Sequence, residues 1–167
     1  MDRATKLLRI IPVLLALCPA YAQAPRIHNF GVVEPGTMYR GGQPGSDGLA
    51  DLKHLGVRTI VDLRGGSPVK GEKRAAEALG FHFINFPLSG VLPPHDSDIA
   101  AVLKILETAP KPIYVHCWKG DDRTGVVLAC WRIRHDGWSN ARALDEVKRY
   151  HMSHFEIGMK GYIKRYK

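Results

Sequence analysis

Pro112-Ile113-Tyr114-Val115-His116-Cys117-Trp118-Lys119-Gly120-Asp121-Asp122-Arg123-Thr124-Gly125 is the stretch on which the fold turns. Ile113 to His116 is an apolar, β-rich run with the pattern of a buried strand. Small and polar residues follow, and from Arg123-Thr124-Gly125 onward the pattern is helical. A strand therefore delivers a cysteine, and a tight loop leads into a helix with an arginine at its start. A thiol is mostly protonated at neutral pH, but a helix N-terminus and a nearby cation lower its pKa by several units. Backbone N–H groups in such a loop converge on a positive helix end and form a nest for an anion. The planar fork of Arg123 fits two oxygens of a phosphate at once. The predicted product is a pocket holding a phosphate dianion above the Cys117 sulfur.

Working outward, strands alternate with helices. Val57 to Leu63 and Phe81 to Phe86 read as strands, with a shorter one at Met38-Tyr39-Arg40. Helical patterns cover 47–55 before Gly56, 71–79 before Gly80, and 97–108 before Pro110. In the last of these Ile99, Val102, Leu103 and Leu106 share one face, and Ser97 or Asp96 supplies the N-cap. After residue 123 the chain reads as helical to its end, broken at Gly137. This order predicts an α/β fold of three layers, a mainly parallel sheet of four to five strands flanked by helices. No internal repeat or linker divides residues 25–167, which are read as one domain.

Composition agrees with a globular chain. Of 167 residues, 45% are hydrophobic and 24% charged, which excludes a disordered tail and a multi-span membrane protein. The net charge of +8 comes without any run of five like charges, so no nucleic-acid partner is inferred from it. The first two dozen residues stand apart. Arg3, Lys6 and Arg9 precede the apolar run Ile10 to Cys18, and Ala20-Tyr21-Ala22 and Ala22-Gln23-Ala24 offer small-x-small cleavage sites. That layout predicts a secretory signal peptide over residues 1–24, cleaved near 22–24, and an exported, periplasmic or secreted product. The apolar run falls far short of the ~20 residues needed to span a bilayer, so no membrane span is expected after cleavage. Losing Arg3, Lys6 and Arg9 together with Asp2 takes the charge from +8 to +6 and leaves Cys117 and Cys130 as the cysteines.

The motif His116-Cys117-x5-Arg123-Thr124-Gly125 resembles that of the cysteine-dependent protein tyrosine and dual-specificity phosphatases. Tyr39-Arg40-Gly41-Gly42-Gln43-Pro44, Thr59 to Arg64 and the helical region from Trp131 to Met152 are similar to small bacterial members, so the likeness covers most of residues 37–152. The resemblance implies that Cys117 attacks phosphorus to form a phosphocysteine. Arg123 and the loop Trp118, Lys119, Gly120, Asp121, Asp122 would bind the phosphate oxygens. Thr124 would hydrogen-bond the sulfur as leaving group, and His116 would orient the loop. No metal or cofactor enters this scheme. The partner is a phosphorylated protein or a small phosphomonoester.

The general acid departs from the family pattern. Members carry an aspartate some twenty to thirty residues before the cysteine, but Phe86-Pro87-Leu88-Ser89-Gly90 has no carboxylate there. Asp96, on the loop Pro93-Pro94-His95-Asp96, is the assigned acid, with Asp98 and His95 as the other candidates. Two further functions share the pattern. A non-catalytic phosphate-binding module would keep Arg123 and dispense with the acid, and a rhodanese-type sulfurtransferase also uses a cysteine loop, though a shorter one without Arg-Thr-Gly. An inositol or lipid phosphate is a further substrate class, but Asp121 and Asp122 beside Lys119 repel a polyanion, which favours phosphotyrosine or another simple phosphomonoester. Gly66 to Lys73 imitates a nucleotide loop but has Glu72 where Lys is required, and reads as a turn into a helix. His151 and His154 lack a third ligand at metal spacing. Cys130 reads as a small buried thiol.

Overall fold

Four of the five strands run parallel, and their register puts the chemistry along one edge. A computed structural model describes residues 24–167, so all but the last residue of the proposed signal peptide lies outside the described residues. The strands are β1 Gly31–Glu34, β2 Met38–Gly41, β3 Thr59–Asp62, β4 His82–Asn85 and β5 Ile113–His116, in the sheet order β1-β2-β5-β3-β4. Only β1 is antiparallel, pairing with β2. Gly41 pairs with His116, His116 with Asp62, and Asp62 with Asn85, so the carboxyl ends of four neighbouring strands line up in one row. Ligands of open α/β sheets bind beyond that edge.

The central strands are buried on both faces, as Thr59–Asp62 and Ile113–His116 show at every position. That is why they read as continuous apolar runs rather than as alternating ones. On one face Tyr39, Ile60, Phe83 and Tyr114 pack under α1 (Ser46–His54) and α2 (Pro68–Ala78). On the other, Met38, Val61, Ile113 and Val115 pack under α3 (Asp96–Thr108), α4 (Asp122–Arg134), α5 (Asn140–Arg149) and α6 (Ile157–Arg165). Eight successive residues of α4, Thr124 to Trp131, are buried. A helix apolar all round belongs inside a core, and its depth fixes where its N-terminus, and hence the loop before it, must stand.

Three expectations need correcting. β1 was not anticipated: Gly-Val-Val-Glu is a short edge strand between Asn29 and Pro35, with too little alternation to stand out. The N-cap of α3 is His95, not Asp96 or Ser97, and its N–H donates to Asp98 Oδ2 at 3.3 Å. The C-terminal helical region breaks twice. Gly137 ends the link after α4 with φ +67, as expected, and a second break at residues 150–156 carries His151 at φ +62.

One packing contact ties the loop after β5 to the end of β2. Gly120 has φ +81, and a Cβ on it would stand 2.4 Å from the carbonyl carbon of Gly41. Gly120→Ala should therefore destabilise the chain by more than the ~1–2 kcal/mol of a left-handed backbone alone, because the clash adds to it. Thermal unfolding of the variant reads this directly. An unchanged midpoint would contradict the packing of Gly120 on Gly41.

Candidate active site

The end of β5 and the start of α4 are joined by residues 117–121, and between them lies a cavity of about 230 Å³. Cys117, Trp118, Lys119, Asp121, Asp122 and Arg123 line it. Cys117 is 3% exposed, whereas Trp118 is 55% exposed at the rim. Arg123 closes the far side, where the loop holding Gly90 comes up against it: a Cβ on Gly90 would lie 3.7 Å from Arg123 Cζ. Among the described residues, the backbone N–H groups of residues 118–122 donate to no protein acceptor.

Their partner carbonyls explain where those amides turn. The Cys117 carbonyl lies 3.1 Å from His116 Nδ1. The Trp118 carbonyl accepts from Gln43 N–H at 2.9 Å. The Gly120 carbonyl accepts from Arg40 Nη2. A trans peptide is planar, with its C=O and N–H pointing opposite ways. Pinning these three carbonyls against the protein turns the N–H groups of Trp118, Lys119 and Asp121 away from it. Five unpaired amides, a helix N-terminus and a guanidinium around one cysteine make an anion site with a nucleophile at its base.

Each pin has its own support. Arg40 is buried on β2 with its guanidinium 3.7 Å from the centre of the Tyr150 ring. Burial lowers its pKa to about 10, which leaves it a cation at neutral pH. Gly42, which precedes the Gln43 donor, has its own carbonyl held by Tyr114 Oη at 2.5 Å. Asn29 Nδ2 donates to Asp121 Oδ1 at 2.9 Å, and Ser153 N–H donates to Asp122 Oδ1 at 2.9 Å, so one oxygen of each loop carboxylate is already engaged. Thr124 is fully buried, and its hydroxyl has no protein partner among the described residues. His116 is fully buried behind Cys117, on the face of the sheet covered by α2.

The structure gathers Cys117 and Arg123 at one cavity, with Trp118, Lys119, Asp121 and Asp122 in its walls. Asp96 is not among them. Its Oδ1 accepts from Tyr162 Oη at 2.7 Å, and it lines a different cavity with Ala100, Arg134 and the C-terminal helix, where no residue of 117–123 appears. As the first residue of α3, Asp96 is turned towards α6, and burial first, then the Asp96 bond, pushes the Tyr162 phenol well up. Asp98 is committed to the His95 N–H. Cys130 lies inside α4, fully buried, and its thiol is pushed up strongly by burial. Neither cysteine is in a disulfide. Sequence reasoning missed Arg40, Gln43 and Asn29 as supports. Arg40 and Gln43 stood in a segment singled out for its resemblance, and a charged residue inside a strand was the signal available there.

A protein-family model described as "DSP-PTPase phosphatase fused to NAD+ Kinase" matches residues 25–165. The chain is 36% identical over 141 residues to the dual specificity protein phosphatase TpbA of Pseudomonas aeruginosa (strain UCBPP-PA14), covering 78% of this chain and 59% of that relative. It is 28% identical over 127 residues to inositol diphosphatase DSP1 of rice (Oryza sativa subsp. japonica), covering 73% of this chain and 56% of the relative. The chain thus spans somewhat over half the length of these curated relatives. Among solved structures, the core catalytic domain of the PP-IP phosphatase SIW14 from S. cerevisiae superimposes with a TM-score of 0.76 at 23% identity, over 86% of this chain and 88% of that one. TpbA from P. aeruginosa follows with a TM-score of 0.72 at 24% identity, over 87% and 91%. Both likenesses bear on the fold. Taken with the match over residues 25–165, they leave one conclusion: the chain belongs to the DSP-PTPase family of cysteine-dependent phosphatases.

Proposed function

We propose that the chain hydrolyses phosphomonoesters through a phosphocysteine, with phosphotyrosine or a similar aryl phosphate as the favoured substrate class. One observation carries this reading: a buried cysteine at the base of a loop whose amides are unpaired, closed by an arginine. In the first step the Cys117 sulfur bonds to phosphorus as the ester oxygen leaves with a proton. In the second, water bonds to phosphorus, the sulfur departs and inorganic phosphate is released. Arg123 and the loop amides hold the three non-bridging oxygens as charge shifts among them. The unpartnered Thr124 hydroxyl is available to donate to the departing sulfur.

Trp118 gives the substrate preference physical support. Its exposed ring stands at the rim, where an aryl leaving group can stack on it. Asp121 and Asp122 line the same cavity and disfavour further phosphates beside the one being cleaved. The P. aeruginosa relative TpbA, in a cysteine-to-serine form, has been solved in complex with pTyr. An inositol phosphate remains the second reading, because the rice relative is named an inositol diphosphatase. Parallel turnover of a phosphotyrosine peptide, an inositol pyrophosphate and thiosulfate separates these readings and the sulfurtransferase from one another.

We also infer export. It rests on the residue pattern of the first 24 positions, and among the described residues no helix is long and apolar enough to cross a membrane. The mass of the mature protein recovered from the secreting cell tests it, with cleavage after Ala22 or Ala24 as the expected result.

Cys117→Ser should abolish turnover while phosphate binding persists, because a hydroxyl is a far weaker nucleophile but the amides and Arg123 remain. More than a few per cent residual activity would rule out the covalent route. Arg123→Lys should be nearly as damaging, since a point charge cannot bind two oxygens as a fork does.

With Asp96 turned to Tyr162, the proton for the leaving oxygen is assigned to a loop carboxylate, Asp121 or Asp122. One of Asp121→Asn and Asp122→Asn should lower kcat ~10²–10⁴-fold on phenyl phosphate and much less on p-nitrophenyl phosphate, whose leaving group needs little protonation. Asp96→Ala should spare kcat on both substrates. It should instead cost ~1–3 kcal/mol of stability by stranding the buried Tyr162 hydroxyl. A selective loss on phenyl phosphate in the Asp96 variant would restore Asp96 as the acid.

A further inference from the structure

We propose that two apolar turns beside the catalytic cavity, carrying Val91, Leu92, Phe155 and Ile157, dock the apolar side chains that flank the phosphotyrosine of a protein substrate. The proposal deepens the phosphotyrosine reading and rests on it. Seven large hydrophobic side chains are exposed among the described residues, and these four are among them, each between 66% and 92% exposed. Scattered singly, such residues need no explanation, but gathered in one place they mark an interaction surface.

The two turns are fixed to the walls of the cavity and to each other. The first stands against the Arg123 guanidinium at Gly90, and Val91 is one chain step, ~3.8 Å, further on. The second is tied to the start of α4, because Ser153 N–H donates to Asp122 Oδ1 at 2.9 Å, two residues before Phe155. A Cβ on Gly158 would lie 3.1 Å from Pro93 Cδ, so the two segments touch. A serine closes each turn. Ser89 Oγ accepts from the N–H groups of Val91 at 3.2 Å and Leu92 at 2.9 Å. Ser153 Oγ accepts from Phe155 N–H at 3.2 Å, and the Phe155 carbonyl accepts from Ile157 N–H at 2.8 Å. The apolar side chains are thus presented on bonded turns rather than on a loose tail, and their area is left for a partner to bury.

Charge and size select the occupant. The turns, with the first turns of α3 and α6 that follow them, carry Asp96, Asp98 and Glu156 against Lys160, with His95 and His154 beside them. An anionic lipid surface draws clusters of lysine and arginine, and three carboxylates against one lysine oppose it. Four side chains also fall short of the ~800 Å² per partner that a stable interface buries, which speaks against a second copy of this chain. A peptide passing the cavity fits both constraints. Its phosphate enters between Cys117 and Arg123, and an extended chain advances ~3.3–3.6 Å per residue, so a side chain one to three residues away reaches the turns. Glu156, between Phe155 and Ile157, repels an acidic side chain there, so the flank that fits is apolar and uncharged.

Binding to the Cys117→Ser chain tests this without turnover, using fluorescence anisotropy of three labelled phosphotyrosine peptides flanked by leucine, serine or glutamate. The leucine-flanked peptide should bind ~10-fold more tightly than the serine-flanked one, and the glutamate-flanked peptide should bind most weakly. Adding Val91→Ser and Phe155→Ser should bring the leucine- and serine-flanked peptides to within ~2-fold of each other. In the wild-type background the same two changes should leave kcat/KM on p-nitrophenyl phosphate unchanged, because both side chains are exposed and neither lines the cavity. A loss there would show that the turns shape the cavity itself, and would overturn the docking role. Equal binding of the leucine- and serine-flanked peptides, no binding of any peptide, or a preference that survives both serine substitutions overturns it too. Where the peptides bind alike, cosedimentation with phosphatidylglycerol vesicles that is lost on the two substitutions would give the turns to a lipid surface instead. Wild-type inactivity towards aryl phosphates, with the leucine preference intact, would count against the proposed function and leave the docking surface standing.

Discussion

The Gly120 carbonyl, drawn back onto Arg40, is the contact on which the site depends. A loop of five residues can point its carbonyls or its amides at the space it encloses, and only the second arrangement holds an anion. Three anchors choose it: Arg40 for Gly120, Gln43 N–H for Trp118 and the His116 ring for Cys117. Two of the three come from β2 and the segment after it, the strand that pairs in register with β5. The parallel pairing that brings Gly41 beside His116 therefore also aims the loop. Gly120 has to be glycine for this to work, because its left-handed backbone rests against Gly41 with no room for a side chain.

The anchors are costly. Arg40 is buried with Nε and Nη1 unpartnered, and four more ionisable side chains are buried behind the cysteine. Networks of this kind contribute little net stability, since desolvation consumes most of the Coulombic gain. The stability comes from elsewhere: two apolar layers on either face of the sheet, with α4 enclosed along eight residues. The core holds the backbone in register, and the register forces the charges together. Both faces hold the loop around the sulfur, with Arg40 on the side of α4 and α5 and His116 on the side of α2.

Much of this was legible in the residues. Apolar runs with glycine or proline beside them gave β3, β4 and β5 to within two residues, and the cysteine-to-arginine spacing located the cavity. What escaped had weak local signals. β1 is four residues long and lies at the edge, where pairing with β2 rather than side-chain pattern makes it a strand. Asp96 sat at the expected distance in sequence, but distance along the chain does not determine direction. Placing Asp96 inside α3, one residue after the cap, turned its carboxylate to Tyr162. Glu72 was read against a nucleotide loop and judged only by the lysine it replaced. Its partner lies 44 positions away on β5, brought close by β3 pairing with β5, and nothing local could have shown that.

The carboxylates of the loop bear on substrate choice. When a mobile aspartate outside the loop supplies the proton, the loop can be as basic as its substrate demands. Here the carboxylates that reach the cavity are in the loop itself, one residue apart, and each is half engaged by Asn29 or Ser153. Their negative charge lines the same cavity as Cys117 and Arg123. The same fold carries relatives named for phosphoproteins and for inositol phosphates, so the sheet and helices cannot decide between them. The decision falls to the residues between Cys117 and Arg123. One tryptophan, one lysine and two aspartates carry the proposed preference for a single phosphate on an aromatic carrier.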